Sequence, residues 1–88
     1  DTRFEYHIGG FRGSNHVLRR VELPLSSLQI KRGCHISISI EADINKLWQS
    51  THDIKITEIP SCTTEGIMAS KIADNFSNIF SIRSISNQ

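Results

Sequence analysis

The sequence predicts a mainly β fold, a sandwich-like domain or part of one, carrying one short and one longer amphipathic helix. Three observations predict it. Phe4 to Ile8 and Cys34 to Ile44 alternate apolar and polar residues with a period of two, as strands with one buried face do. Only Ile67 to Phe80 keeps a helical period over several turns. At least four strand candidates therefore stand against one or two helices, the pattern of a sheet-built core with helical decoration.

In chain order, FEYHIGGF sets Phe4, Tyr6 and Ile8 on one side and Glu5 and His7 on the other, then breaks at Gly9 and Gly10. Arg12 to Asn15 is turn material. Val17 to Leu25 reads as a second strand ended or confined to a sheet edge by Pro24. Leu28 to Arg32 reads as a short third strand closed by Gly33. In CHISISIEADI, Ile36, Ile38, Ile40, Ala42 and Ile44 form the apolar face and His35, Ser37, Ser39, Glu41 and Asp43 the polar one. Ile44, Leu47 and Trp48 then fall at helical spacing behind Asp43, a candidate cap for one or two turns. His52 to Ile59 reads as a strand stopped by Pro60, and Ser61 to Gly66 as a loop. Met68, Ile72, Phe76 and Ile79 or Phe80 stripe the longer helix. The tail, Ser81 to Gln88, alternates weakly and reads as a last strand or a frayed end.

Eighty-eight residues allow one small domain, 1–88, or part of a larger one. Ten basic and nine acidic residues, scattered along the chain, exclude an electrostatic grip on nucleic acid; the Arg19–Arg20 pair reads as a solvated strand edge. No apolar run approaches the roughly 20 residues of a membrane span. The chain opens DTRFEYH, without an initiator Met or a signal peptide, so an upstream segment is expected.

His7 and His35 lie on the polar sides of their strands, so their imidazoles can converge on one metal if those strands are neighbours; otherwise both are solvated. His16 and His52 fall at turns and read as solvated. Cys34 and Cys62 either pair, closing a loop that contributes roughly 3 to 4 kcal/mol, or stay free. No serine sits in a glycine-flanked elbow, and Cys62 has an acidic rather than a basic neighbour in Glu65, so no catalytic set is expected. Asn75-Phe76-Ser77 matches a glycosylation triplet but falls inside the helix, which reads as chance.

Taken in order, three motifs resemble the C-terminal half of the MbnP-like family: Phe4, Tyr6, His7, Ile8 and Gly9; Asp43 through Trp48; and Ile72, Ala73, Asp74, Asn75 and Phe76, followed by Ile79, Phe80 and Ser81. That resemblance spans nearly the whole chain. It implies a non-enzymatic, sandwich-like envelope domain of a Gram-negative bacterium, in the periplasm or at the cell surface and often a lipoprotein. It also implies copper as the cofactor, centred on His7 of the first motif, with His35 added from the strand reading as a second, weaker candidate ligand. The implied partners are the upstream half of the same domain, on the same or another chain, and a dihaem oxidising protein or another envelope protein. The family's modified tryptophan lies upstream of the first motif, so Trp48 does not inherit its role, and tail histidines of relatives are replaced by Ile82 to Ser86. The alternative is a structural or protein-binding envelope module without metal.

Overall fold

A computed structural model describes residues 3–25 and 29–87. Six elements follow in order: β1 (Glu5–Tyr6), β2 (Ile36–Ala42), α1 (Asn45–Trp48), β3 (Ser61–Cys62), α2 (Ile67–Ser77) and β4 (Phe80–Asn87). Strand residues outnumber helical ones only slightly. The strands form two separate two-stranded sheets, β1 parallel to β3 and β2 antiparallel to β4. The architecture is thus mixed and small.

The opening strand is shorter than its alternation suggests. Only Glu5 and Tyr6 pair in register, with Ser61 and Cys62, and the ladder is extended by Glu5 N–H to Pro60 O and His7 N–H to Cys62 O, both 2.8 Å. Ser61 and Cys62, read as loop, therefore supply a strand. The turn after it demands glycine at Gly10: φ is +120°, and a Cβ there would lie 3.0 Å from Glu65.

Two expected strands are not formed. Residues 17–25 run as irregular chain, and His52 to Ile59 folds as a bridge at Asp53 and a turn at Ile56–Glu58. An alternating sequence becomes a strand only when a neighbour takes up its main-chain groups. Here side chains of α2 claim both segments instead, as described below. The third expected strand is absent from residues 29–32, and Leu28 lies outside the described residues.

The β2/β4 ribbon follows the sequence more closely. Ile38 pairs with Ile85, Ile40 with Ile82 and Ala42 with Phe80, while Ser37 and Ser39 oppose Ser86 and Ser84. The register slips at Ser39/Ile40, leaving Arg83 as a bulge residue. The bulge explains why the tail's alternation looks weak: Ile82 and Ile85 are three apart, and the extra residue returns both to one face. One side of the ribbon is therefore isoleucine-rich and the other serine-rich.

The core lies away from this ribbon. Ile54, Cys62, Ala69 and Ile72 form its buried centre, with Tyr6, Leu47 and Trp48 among the side chains packed around it. Ala69 and Ala73 on α2 are small enough for the helix to sit close to α1 and the loop after it, so the buried stripe falls on Ala69, Ile72 and Ala73. Phe76, expected on that stripe, stays 51% exposed and meets Phe80 edge-to-face at 5.5 Å. The N-cap of α1 is Ile44, which makes no side-chain cap bond; Asp43, the expected cap, stands one residue earlier and accepts the Asn45 N–H through Oδ1 at 3.1 Å.

Among the described residues, the isoleucine face of the ribbon meets no second layer. Ile38 is 41% and Ile40 56% exposed, although the sequence marks them as a buried face. The radius of gyration is 16.9 Å, against about 12 Å for a compact chain of this length. The accessible surface is 7069 Å², against about 5,200 Å² for a compact monomer of this size, an excess of about 1,900 Å². No helix is long and apolar enough to cross a membrane among the described residues.

Candidate functional site

Two features stand out around α2, a polar bracket and an apolar groove. The bracket is built by consecutive residues, Asp74 and Asn75. Asn75 is fully buried and uses its whole hydrogen-bonding capacity. Its Oδ1 accepts from Ser50 Oγ at 3.0 Å and from the His52 N–H at 2.9 Å. Its Nδ2 donates to Leu47 O and His52 O, each at 2.9 Å. One side chain thereby takes up the main-chain groups that a partner strand would otherwise satisfy, which is why the segment from His52 is not extended. Burial also removes Asn75 from any modification at its sequence triplet.

Asp74 faces the other way and joins two distant segments. Its Oδ1 accepts from Arg19 Nε at 2.7 Å and its Oδ2 lies 2.8 Å from His52 Nε2. The His52 hydrogen bond, followed by that of Arg19, holds the Asp74 carboxyl below its usual value of 3.8 against the opposing effect of desolvation. Arg19 also donates to Ser70 O at 3.0 Å and Ser70 Oγ at 2.9 Å, and to His16 O at 2.8 Å. The expected solvated Arg pair is split: the Arg20 side chain is 86% exposed, while Arg19 is 22% exposed and pins the irregular 17–25 segment to α2. His52, expected to be solvated, is half-buried in the same bracket. A His–Asp pair invites comparison with a catalytic triad, but the hydrogen bonds of Ser50 and Ser70 go to Asn75 and Arg19 rather than to the His52 ring.

The groove lies beside this bracket, between α2 and the pinned segment. It encloses about 590 Å³ and is lined mainly by apolar side chains, including Ile8, Val17, Val21, Leu47, Phe76 and Phe80. Phe80 also begins β4, where it pairs with Ala42, so the groove continues onto the isoleucine face of the ribbon. Beside it, Phe4, Tyr6 and Trp48 pack edge-to-face or tilted with centroids 5.7 to 5.8 Å apart, and the Tyr6 hydroxyl donates to Ile59 O. Burial raises the Tyr6 pKa above its usual value, with a smaller contribution from Cys62. Trp48 is thus a packing residue at the core's margin.

The sites expected from sequence fall elsewhere. His7 is exposed at the end of β1, its Nε2 2.9 Å from Glu5 Oε1. His35 is exposed just ahead of β2, in the other sheet, so no strand pairing brings the two imidazoles together. Among the described residues no three His, Cys, Asp or Glu side chains gather at metal-binding distance. Cys34 is exposed, Cys62 is buried in the core, and both are free thiols.

The bracket and groove escaped the sequence-based reading because neither has a local signature. The one available signal was Asp74-Asn75, polar residues beside the apolar stripe of a helix. No family model, curated protein or solved structure matches the chain.

Proposed function

We propose that this chain is a non-enzymatic, protein-binding β domain of the Gram-negative cell envelope, part of an MbnP-like sandwich whose sheets are completed by polypeptide outside these 88 residues. The observation that carries this reading is the continuous apolar surface from the groove, through Phe76 and Phe80, to the isoleucine face of the ribbon. A two-stranded ribbon is marginal by itself in water, and exposed apolar patches of this kind mark contact with another polypeptide. The surface excess of about 1,900 Å² is ample for one side of a stable interface, which takes about 800 Å² per partner.

The experiment is site-specific photo-crosslinking in envelope extract, with the crosslinker at Ile40 or Phe76 and, as control, at the exposed Lys55. A discrete adduct from the apolar positions and none from Lys55 is expected. No adduct, or equal labelling from all three, overturns the reading.

Copper binding centred on His7 is the second reading, favoured by the exposed His7–Glu5 pair. One imidazole and one carboxylate supply only part of the tetragonal N,O set that Cu(II) prefers, and His35 stands in the other sheet. These residues alone do not complete a copper site.

A further inference from the structure

We infer that the outer edge of β2 pairs with the β2 of a second copy of this chain, antiparallel and about a two-fold axis at Ile38. The inference rests on the protein-binding reading and names the occupant of the β2 edge that borders that surface. The ribbon has two outer edges and they differ. The β4 edge carries the bulge at Arg83, and a bulge with a charged residue is a standard device against further pairing. The β2 edge has an unbroken seven-residue strand, no proline and no bulge, and no partner among the described residues.

The sequence of β2 is complementary to itself in one register. With Ile38 on the axis, Ile36 faces the second copy's Ile40 and Ser37 faces its Ser39, so apolar and hydroxyl faces both continue across the seam. The same register sets His35 opposite the second copy's Glu41, twice per dimer, and places no like charges face to face. Both residues are exposed in the single chain. The result is a four-stranded sheet, β4-β2-β2-β4, with the defended β4 edges outermost and one unbroken isoleucine face. The surface excess of the single chain covers the loss at such a seam.

The test is sedimentation equilibrium of the 88-residue chain with a charge-swap pair. The unaltered chain should dimerise. His35→Glu alone should weaken the dimer about tenfold, because it places a carboxylate opposite Glu41 at two points, and Glu41→Lys alone should not tighten it. The double variant His35→Glu/Glu41→Lys should recover dimerisation, which a variant that merely misfolds does not do. A chain that stays monomeric at about 100 µM overturns the assignment, as does a double variant no tighter than either single one. That failure is distinct from failure of the protein-binding reading, which shows as absence of an adduct from Phe76, outside the seam.

Discussion

Replacing Asn75 should cost this small fold much of its stability, because one side chain serves three main-chain groups of another segment. In Asn75→Leu the heavy-atom count is kept in a bulkier side chain, while the His52 N–H and the Leu47 carbonyl lose their partner and the His52 carbonyl keeps only the 3.3 Å bond from the Ser50 N–H. Each orphaned buried group costs about 1 to 3 kcal/mol. His52 and Leu47 are half-buried, so water relieves part of this, and the expected net loss is about 2 to 4 kcal/mol. A chain of 88 residues has a total stability of about 4 to 13 kcal/mol. Asn75→Asp is sharper still. It keeps the acceptor toward Ser50 and His52 but sets a second oxygen, charged at neutral pH, against the two carbonyl oxygens that Nδ2 now serves. Burial raises that carboxyl's pKa in the folded state above its unfolded value. Its penalty is therefore fully present above the raised folded-state value and shrinks as pH falls through it toward the unfolded value. Urea unfolding followed by the single Trp48, at fixed protein concentration, measures both variants. An Asn75→Leu protein within about 0.5 kcal/mol of the parent, or an Asn75→Asp penalty that does not change with pH, would refute the reasoning.

Three further expectations follow from neighbouring groups. Asp74 has a depressed pKa, so its contribution is present above the usual value of 3.8 and lost as pH falls through the lower folded value. With the side chain 37% exposed, Asp74→Asn should cost on the order of 1 kcal/mol or less at about pH 6, a gap that closes in acid; a constant gap in urea titrations contradicts this. On the protein-binding reading, Cu(I) and Cu(II) titrations should give the same weak binding for the intact chain and for His7→Ala. A stoichiometric site lost in the variant establishes the copper reading instead. Thiol titration of the native protein should find Cys34 at once and Cys62 only on unfolding, while a mass shift of two hydrogens on reduction would show a bridge.

How much of this was legible beforehand depends on the range of the interactions involved. The alternation of Ile36 to Ala42, the helix from Ile67 and the short turn behind Asp43 all appear where local periodicity and capping chemistry put them. The same periodicity failed for Val17 to Leu25 and His52 to Ile59, whose patterns are compatible with strand but which are held by side-chain contacts with α2 instead of by a neighbouring strand. Arg19 and Asn75 decide those segments, and they reach across 55 and 23 residues to do so. His7 and His35 were comparable candidates in sequence, and only sheet assignment separates them.

By itself, then, the sequence determined which residues of β2 are apolar and that Ile72 lies on the inward side of α2. Only the tertiary structure decided what those residues meet. It joined β2 to a bulged β4, turned Asp74 and Asn75 into a bracket, and left the isoleucines of the ribbon open to solvent. The physical reason is that a period of two or 3.6 is a property of neighbouring residues. Burial and pairing depend on contacts whose partners are tens of residues away.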